Sequence, residues 1–311
     1  MSQSAEEINH LNVNSEQTQH SDILNLSDHQ ESGNDFNKQA GQTIEVSHEP
    51  TLYAEPVFNL GGLEVTNSLL NSWLAVIIII IISLVVGWRV KKIPRGIQNY
   101  AEVILEGAMN MADSVTGSRA KTKKIFPITF SIFIFILINN WLGLLPGIGS
   151  IGFLTVHEGH SVFVPFFRGG TADLNTTLAL ALFAVIGSNI FGFLTVGIWK
   201  YLNKFINLKA FAEIPKKFRK DPAIIIVNPI KAFVGLIEII GEVAKVASLS
   251  FRLFGNIFAG EVLLAAMAVI FAFVLPVPFI FLEVIVGIIQ ALIFAMLTLV
   301  YFSIASTEEE H

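Results

Sequence analysis

LLNSWLAVIIIIIISLVVGW, residues 69–88, runs twenty residues without a charge. About 20 apolar residues in a helix match the roughly 30 Å hydrocarbon core of a bilayer. In that medium every backbone group must be satisfied internally, so only helices or closed barrels cross it. Four more such runs follow: IFPITFSIFIFILINNWLGLLPGI (125–148), closed by the breaker run Leu-Pro-Gly, LNTTLALALFAVIGSNIFGFLTVGIW (174–199), residues 223–275 and residues 276–305. The chain is therefore predicted to be an all-α polytopic membrane protein of five passes, with a membrane domain over 69–311. A composition of 53% hydrophobic and 14% charged residues belongs to the same class. With no cysteine, neither a disulfide framework nor a thiolate metal site is possible.

Charge sets the direction of the passes. Residues 89–124 hold eight Lys or Arg and 200–222 hold seven, including KKFRK at 216–220, whereas 149–173 holds only Arg168 and the turn LPVP at 275–278 none. The basic bias of cytoplasmic loops then puts the N-terminus outside and the C-terminal STEEEH inside. Residues 1–68 carry eleven acids against Lys38, a net of −10, which leaves +5 of the overall −5 on the remainder. This polar, acidic stretch is expected to stay disordered, because it has too little apolar surface to offset its ordering entropy. It lacks the basic start and apolar core of a cleavable signal. Its histidines (His10, His20, His29, His48) are irregularly spaced and are read as solvated rather than metal-binding. Nothing in this balance suggests a nucleic-acid partner, and the KKFRK run is explained by its place beside a span.

Between the first two spans, PRGIQNYAEVILEGAMNMAD is predicted to form an amphipathic helix opened by Pro94. Ile97, Tyr100, Ile104, Ala108 and Met111 fall on one arc, with Glu102, Glu106 and Asp113 opposite. Such a helix lies on the cytoplasmic membrane surface or packs against a partner there.

The fourth apolar segment is too long for one upright pass. Its 53 residues would reach roughly 80 Å as a helix, against a core of about 30 Å. A strongly tilted helix keeps the charge alternation; two spans with a hidden turn would reverse the C-terminus. Within it, Glu238, Lys245, Ser248 and Asn256 all lie within about 40° of Arg252, with Glu242 at the edge near 80°. Glu261 points about 180° away. An arginine in mid-membrane costs about 2.5–3.5 kcal/mol on insertion scales. Lys245 can snorkel, but Arg252 has apolar sequence on both sides. It is either a functional charge or a structural one paired with Glu242 or Glu238. The last span adds Glu283 and Gln290, seven residues apart and so on one face. Gly255, Gly260 and Gly287 are small contact points that let helices approach closely.

SLSFRLFGNIFAGEVLL (248–264) resembles the signature around the essential arginine in the a subunit of F-type ATP synthases. Three further blocks are similar in the same order: NNWLGLLPG (139–147), TADLNTTLALAL (171–182) and IIQALIFAMLTLVYFSIAS (288–306). The likeness covers about residues 53–311. It implies that the last two long helices form a tilted hairpin beside a rotating proteolipid c-ring, with peripheral-stalk b subunits and the other ATP synthase subunits as partners in a bacterial plasma membrane. It further implies that Arg252 is the stator arginine facing the ring carboxylate. Asn256, Glu261, Glu283 and Gln290 would border a half-channel to the outside, and Glu238, Lys245 and Ser248 one to the cytoplasm. Some relatives carry histidine at the position of Glu283. Protons are the default coupling ion, and no cofactor is implied.

Two other classes make different demands. A secondary transporter with an intramembrane Arg/Glu site would show an inverted repeat and broken mid-membrane helices; no convincing half-to-half repeat is visible. An intramembrane metalloprotease would need H-E-x-x-H on a helix, and HEGH at 157–160 has neither that spacing nor an unbroken run. No phosphate-binding loop is present, so ATP chemistry would reside in other subunits.

Overall fold

A computed structural model of the chain describes residues 52–88, 90, 96–145, 147–157, 160–198, 201, 224–271, 274 and 276–307. Most of the acidic stretch, the KKFRK run and the glutamates of STEEEH lie outside the described residues. Two strands, β1 (Pro56–Leu60) and β2 (Leu63–Thr66), form an antiparallel hairpin. This structure occupies the end of the stretch expected to be disordered. Its two-residue turn is Gly61-Gly62, both at positive φ (59° and 95°), the backbone that matches the twist of paired strands. Glu55 and Asn67 then exchange hydrogen bonds across its base.

Among the described residues, six α-helices follow: α1 (Asn67–Gly87), α2 (Ile97–Thr116), α3 (Arg119–Leu144), α4 (Leu174–Val196), α5 (Ile224–Ile270) and α6 (Pro276–Ala305). Between α3 and α4 lie β3 (Gly152–His157), which pairs with β4 (His160–Pro165), and two single 3₁₀ turns. His157 and His160 of the HEGH run therefore belong to strands, not to a helix. Among the described residues, five helices are long and apolar enough to cross a membrane: all but α2.

Helix ends follow local chemistry. Thr66 caps α1 by accepting from the Leu69 amide, and Asp173 caps α4 by accepting from the Asn175 and Thr176 amides. Gly117, at φ 66°, closes α2 in the left-handed conformation that only glycine adopts cheaply. The α3 helix stops at Leu144, short of the apolar run's end. Leu145 precedes Pro146, whose ring disfavours helical backbone there, and Leu145 is accordingly extended (ψ 121°).

Contacts far apart in sequence give the helix directions. Asn71 near the start of α1 meets Asn139 near the end of α3. Thr177 and Asn189 of α4 meet Ser250 and Glu242 of α5 in reverse order. Gly260 and Lys245 of α5 meet Glu283 and Tyr301 of α6, so these two helices run antiparallel as a hairpin. One end of the bundle thus carries the β1–β2 hairpin, the end of α3 and the start of α4; the opposite end carries Tyr201 and the end of α6.

The core joins α3, α4, α5 and α6. Ile132 and Ile136, Ala181, Ala184 and Val185, Leu249, Leu253 and Ile257, and Ala291 and Phe294 are all buried together. In lipid the hydrophobic effect gives little reason for helices to associate, so close packing at small residues matters more. Gly187 lies against the Phe302 ring, and Gly287 against Asn140. A second cluster of Ala112, Ile125, Phe126, Leu299 and Phe302 fixes the latter half of α2 on α3 and α6. The first half of α2 leaves Ile97, Tyr100, Val103 and Ile104 exposed.

Candidate functional site

Leu249, Leu253 and Ile257 bury one arc of α5, centred about 100° from Arg252. That packing leaves Ser248, Arg252 and Asn256 exposed on the flank of the bundle. Arg252 Nη2 donates to Ser248 Oγ at 3.2 Å, and among the described residues it meets no carboxylate. The expected structural partners are elsewhere. Glu238 is fourteen residues away, about 21 Å along the helix. Glu242 is bound to Lys245 and Asn189. A guanidinium held only by a hydroxyl, on a face that a bilayer would otherwise cover, is costly and calls for a partner that brings negative charge.

Polar groups also gather at the end of the bundle near the β1–β2 hairpin. Arg168 is 7% exposed and grips Glu261 with two donors, Nε to Oε1 and Nη2 to Oε2, both at 2.9 Å. Its Nη1 donates to the Tyr53 carbonyl at 3.1 Å. One residue before Glu261, Gly260 provides the surface on which the Glu283 carboxyl rests. Glu283 and Gln290 are both buried on α6. One turn beyond Glu283, the Gly287 carbonyl accepts from Asn140 Nδ2 at 3.1 Å, and Asn140 Oδ1 accepts from Thr171. Asn139, the preceding residue, accepts from Asn71 and Ser72 of α1. Glu283 Oε1, Asn71 Oδ1 and Asn67 Nδ2 are buried with no hydrogen-bond partner. Buried polar atoms are nearly always paired, so this concentration of unpaired ones separates the region from ordinary core.

Of the residues singled out from the sequence, Glu283 rests on Gly260, the neighbour of Glu261, and Gln290 is buried on the same helix as Glu283. Asn256 does not join them; it shares the exposed flank with Arg252. At the opposite end, Lys245 Nζ meets Glu242 Oε1 at 2.7 Å and lies 5.4 Å from the Tyr301 ring centre. Glu242 Oε2 accepts from Asn189 Nδ2 at 3.1 Å, and Asn189 Oδ1 accepts from the Tyr201 hydroxyl at 2.7 Å. Sequence reasoning assigned no site role to Arg168, Asn71, Asn139, Asn140, Asn189 or Tyr201. Three of them carried a signal: Asn139 and Asn140 open the NNWLGLLPG block, and Arg168 is the lone basic residue in a connection whose charge bias should exclude it.

Replacing Arg168 by Gln should lower stability by about 1–3 kcal/mol, because hydrogen bonds to a charged group are lost and Glu261 is left without its counter-ion. The upper range for buried pairs is not expected, since the Glu261 side chain keeps 34% of its exposure. Thermal unfolding in detergent measures this, and Arg168→Lys should recover part of the loss. Equal melting temperatures for Arg168→Gln and the parent would contradict it.

The ATP synthase A chain family matches residues 69–303. ATP synthase subunit a of Mycobacterium tuberculosis is 34% identical over 252 residues, 79% of this chain and 89% of the relative. That of Geobacter sulfurreducens is 31% identical over 240 residues, 77% and 87% of the two chains. That of Campylobacter concisus is 31% identical over 240 residues, 76% and 89%.

Proposed function

Because the chain belongs to the ATP synthase A chain family, we propose that it brings protons to and from a rotor carboxylate through two half-channels kept apart by Arg252. Membership makes it a stator subunit of the F0 sector, a multi-pass bacterial membrane protein that translocates ions together with other ATP synthase subunits and is not catalytic alone.

In the proposed mechanism the end with Arg168 faces outside and the end with Tyr201 faces the cytoplasm. Asn256, Glu261, Glu283 and Gln290 border the outer path, and Glu238, Lys245 and Ser248 the inner one. The outer path has the support of the buried unpaired atoms at Glu283, Asn71 and Asn67. A ring carboxylate arriving beside Arg252 gains an opposite charge, which favours its ionised form and releases its proton. Reprotonated from the other path, it is neutral and can face lipid. Arg252 keeps its charge throughout, so the two paths communicate only through ring rotation. The 47 residues of α5 reach about 70 Å, which supports a steep inclination along the c-ring. The exposed apolar half of α2 suits the cytoplasmic membrane surface, and the b subunits would complete the stator.

One observation carries this reading: Arg252 is exposed on the flank of the bundle, with no carboxylate of its own among the described residues. Cross-linking tests it directly, because the chain contains no cysteine. Phe251→Cys and Asn256→Cys lie on the exposed flank, and Leu249→Cys is buried. In the whole complex the first two should form disulfides with a cysteine placed beside the ring's ion-binding carboxylate, and the third should not. A chain that purifies alone, yields no such cross-link and moves a solute would instead be a secondary transporter.

A further inference from the structure

Lys245 and Arg252 stand seven residues apart on α5, about 20° apart around the helix and about 10 Å apart along it. Two cations on one line therefore border the same flank, but their surroundings differ. Lys245 is drawn back one turn to Glu242 and lies beside the Tyr301 ring. Among the described residues, Arg252 has the Ser248 hydroxyl alone.

A pair three residues apart on a helix is ordinary when both members are free to move. Glu242 is not free. Asn189 of α4 holds its second oxygen, and the buried Tyr201 hydroxyl holds Asn189 in turn. Tyr201 is itself fixed: a Cβ on Gly192 would come within 2.3 Å of its ring. Three segments of the chain thus set the position of one carboxylate, and that carboxylate sets the position of the lysine.

We propose that Glu242, clamped by Asn189 and Tyr201, is a positioning residue that retracts and neutralises Lys245, leaving Arg252 as the cation of α5 that a passing rotor carboxylate meets. The proposal rests on the stator reading above. Without Glu242, the ammonium would stand uncompensated on the same line and offer the carboxylate a second resting place. Unit charges about 10 Å apart at an effective dielectric near 20 interact strongly enough to change a rate or population by roughly tenfold.

The test is ATP-driven proton pumping by the whole complex in vesicles, with ring content measured in each preparation. Glu242→Gln should slow pumping about tenfold. Lys245→Gln alone gives the reference for whatever its place on the inner path contributes; added to Glu242→Gln it should bring pumping back to that reference, because the stray cation is gone. Asn189→Ala, which loosens Glu242 without changing any charge, should slow pumping less, and Lys245→Gln should relieve that defect also. Two results would overturn the proposal. One is normal pumping by Glu242→Gln. The other is a double variant as slow as Glu242→Gln alone, which would make Glu242 a proton carrier or a purely structural group. Failure of the stator reading is a separate outcome, seen as coupled pumping that survives Arg252→Ala.

Discussion

Vesicles carrying the whole complex with Arg252→Ala are expected to lose both ATP-driven proton pumping and gradient-driven ATP synthesis, while passive proton leak is retained or raised. The size of the effect follows from the charge. At about 4 Å and an effective dielectric near 20, a guanidinium and a carboxylate attract by about 4 kcal/mol, about a thousandfold in population. Alanine removes that attraction, so a ring carboxylate loses its reason to ionise opposite α5. It also removes the fixed charge between the two polar lines, and a proton can then cross without turning the ring. The driving potential, about 2.3 kcal/mol per charge per 100 mV, would be dissipated as leak. Loss of coupling should exceed a hundredfold with ring content unchanged, which separates it from failed assembly. Coupled pumping that persists in Arg252→Ala would make Arg252 structural and the mechanism wrong.

The second large effect is expected at Gly260. A Cβ there would lie 2.2 Å from both Cδ and Oε1 of Glu283. The obstructed group is the end of a flexible side chain, so the carboxyl moves and the fold survives. Gly260→Ala should therefore assemble with a stability loss under about 1 kcal/mol, yet pump at least about tenfold more slowly because Glu283 is displaced from its place. Gly192→Ala provides the contrast. Its Cβ would meet the Tyr201 ring at 2.3 Å and the Ala305 carbonyl at 2.9 Å. Neither can step aside, so about 1–3 kcal/mol of stability should be lost. Melting temperature and pumping measured on both variants distinguish the two effects; unimpaired pumping by Gly260→Ala would remove Glu283 from the outer path.

The helices were legible because a bilayer leaves so few alternatives. An uncharged run of 20 residues in that medium is a helix whatever its neighbours do. The last span begins at Pro276 and ends at Ala305 as the apolar run does. The end of α3 at Leu144 was legible too, because the Leu-Pro-Gly breaker run stands just beyond it. The hairpin at 56–66 was missed because acidity upstream obscured two short strands and their Gly-Gly turn. Charged groups inside the membrane were easy to find, since their cost makes each one conspicuous. Their partners were not. The bond between Arg168 and Glu261 spans 93 residues, and no periodicity links them. Asn71, Asn139 and Asn189 look like unremarkable helix residues until the bundle places them against one another. Asn256 and Glu261 are only five residues apart, but helical geometry sends them to different surroundings.

The Arg168 contact also bears on biogenesis. Arg168 is synthesised 93 residues before Glu261, and bacterial ribosomes add about 5–20 residues per second. For roughly 5–20 s the nascent chain therefore holds a cation whose counter-ion has not yet been made. The guanidinium also binds the Tyr53 carbonyl, so it ties together the segment ahead of the first helix, the connection before the third span and the fifth helix. A chain stalled before residue 261 would lack the carboxylate that neutralises Arg168.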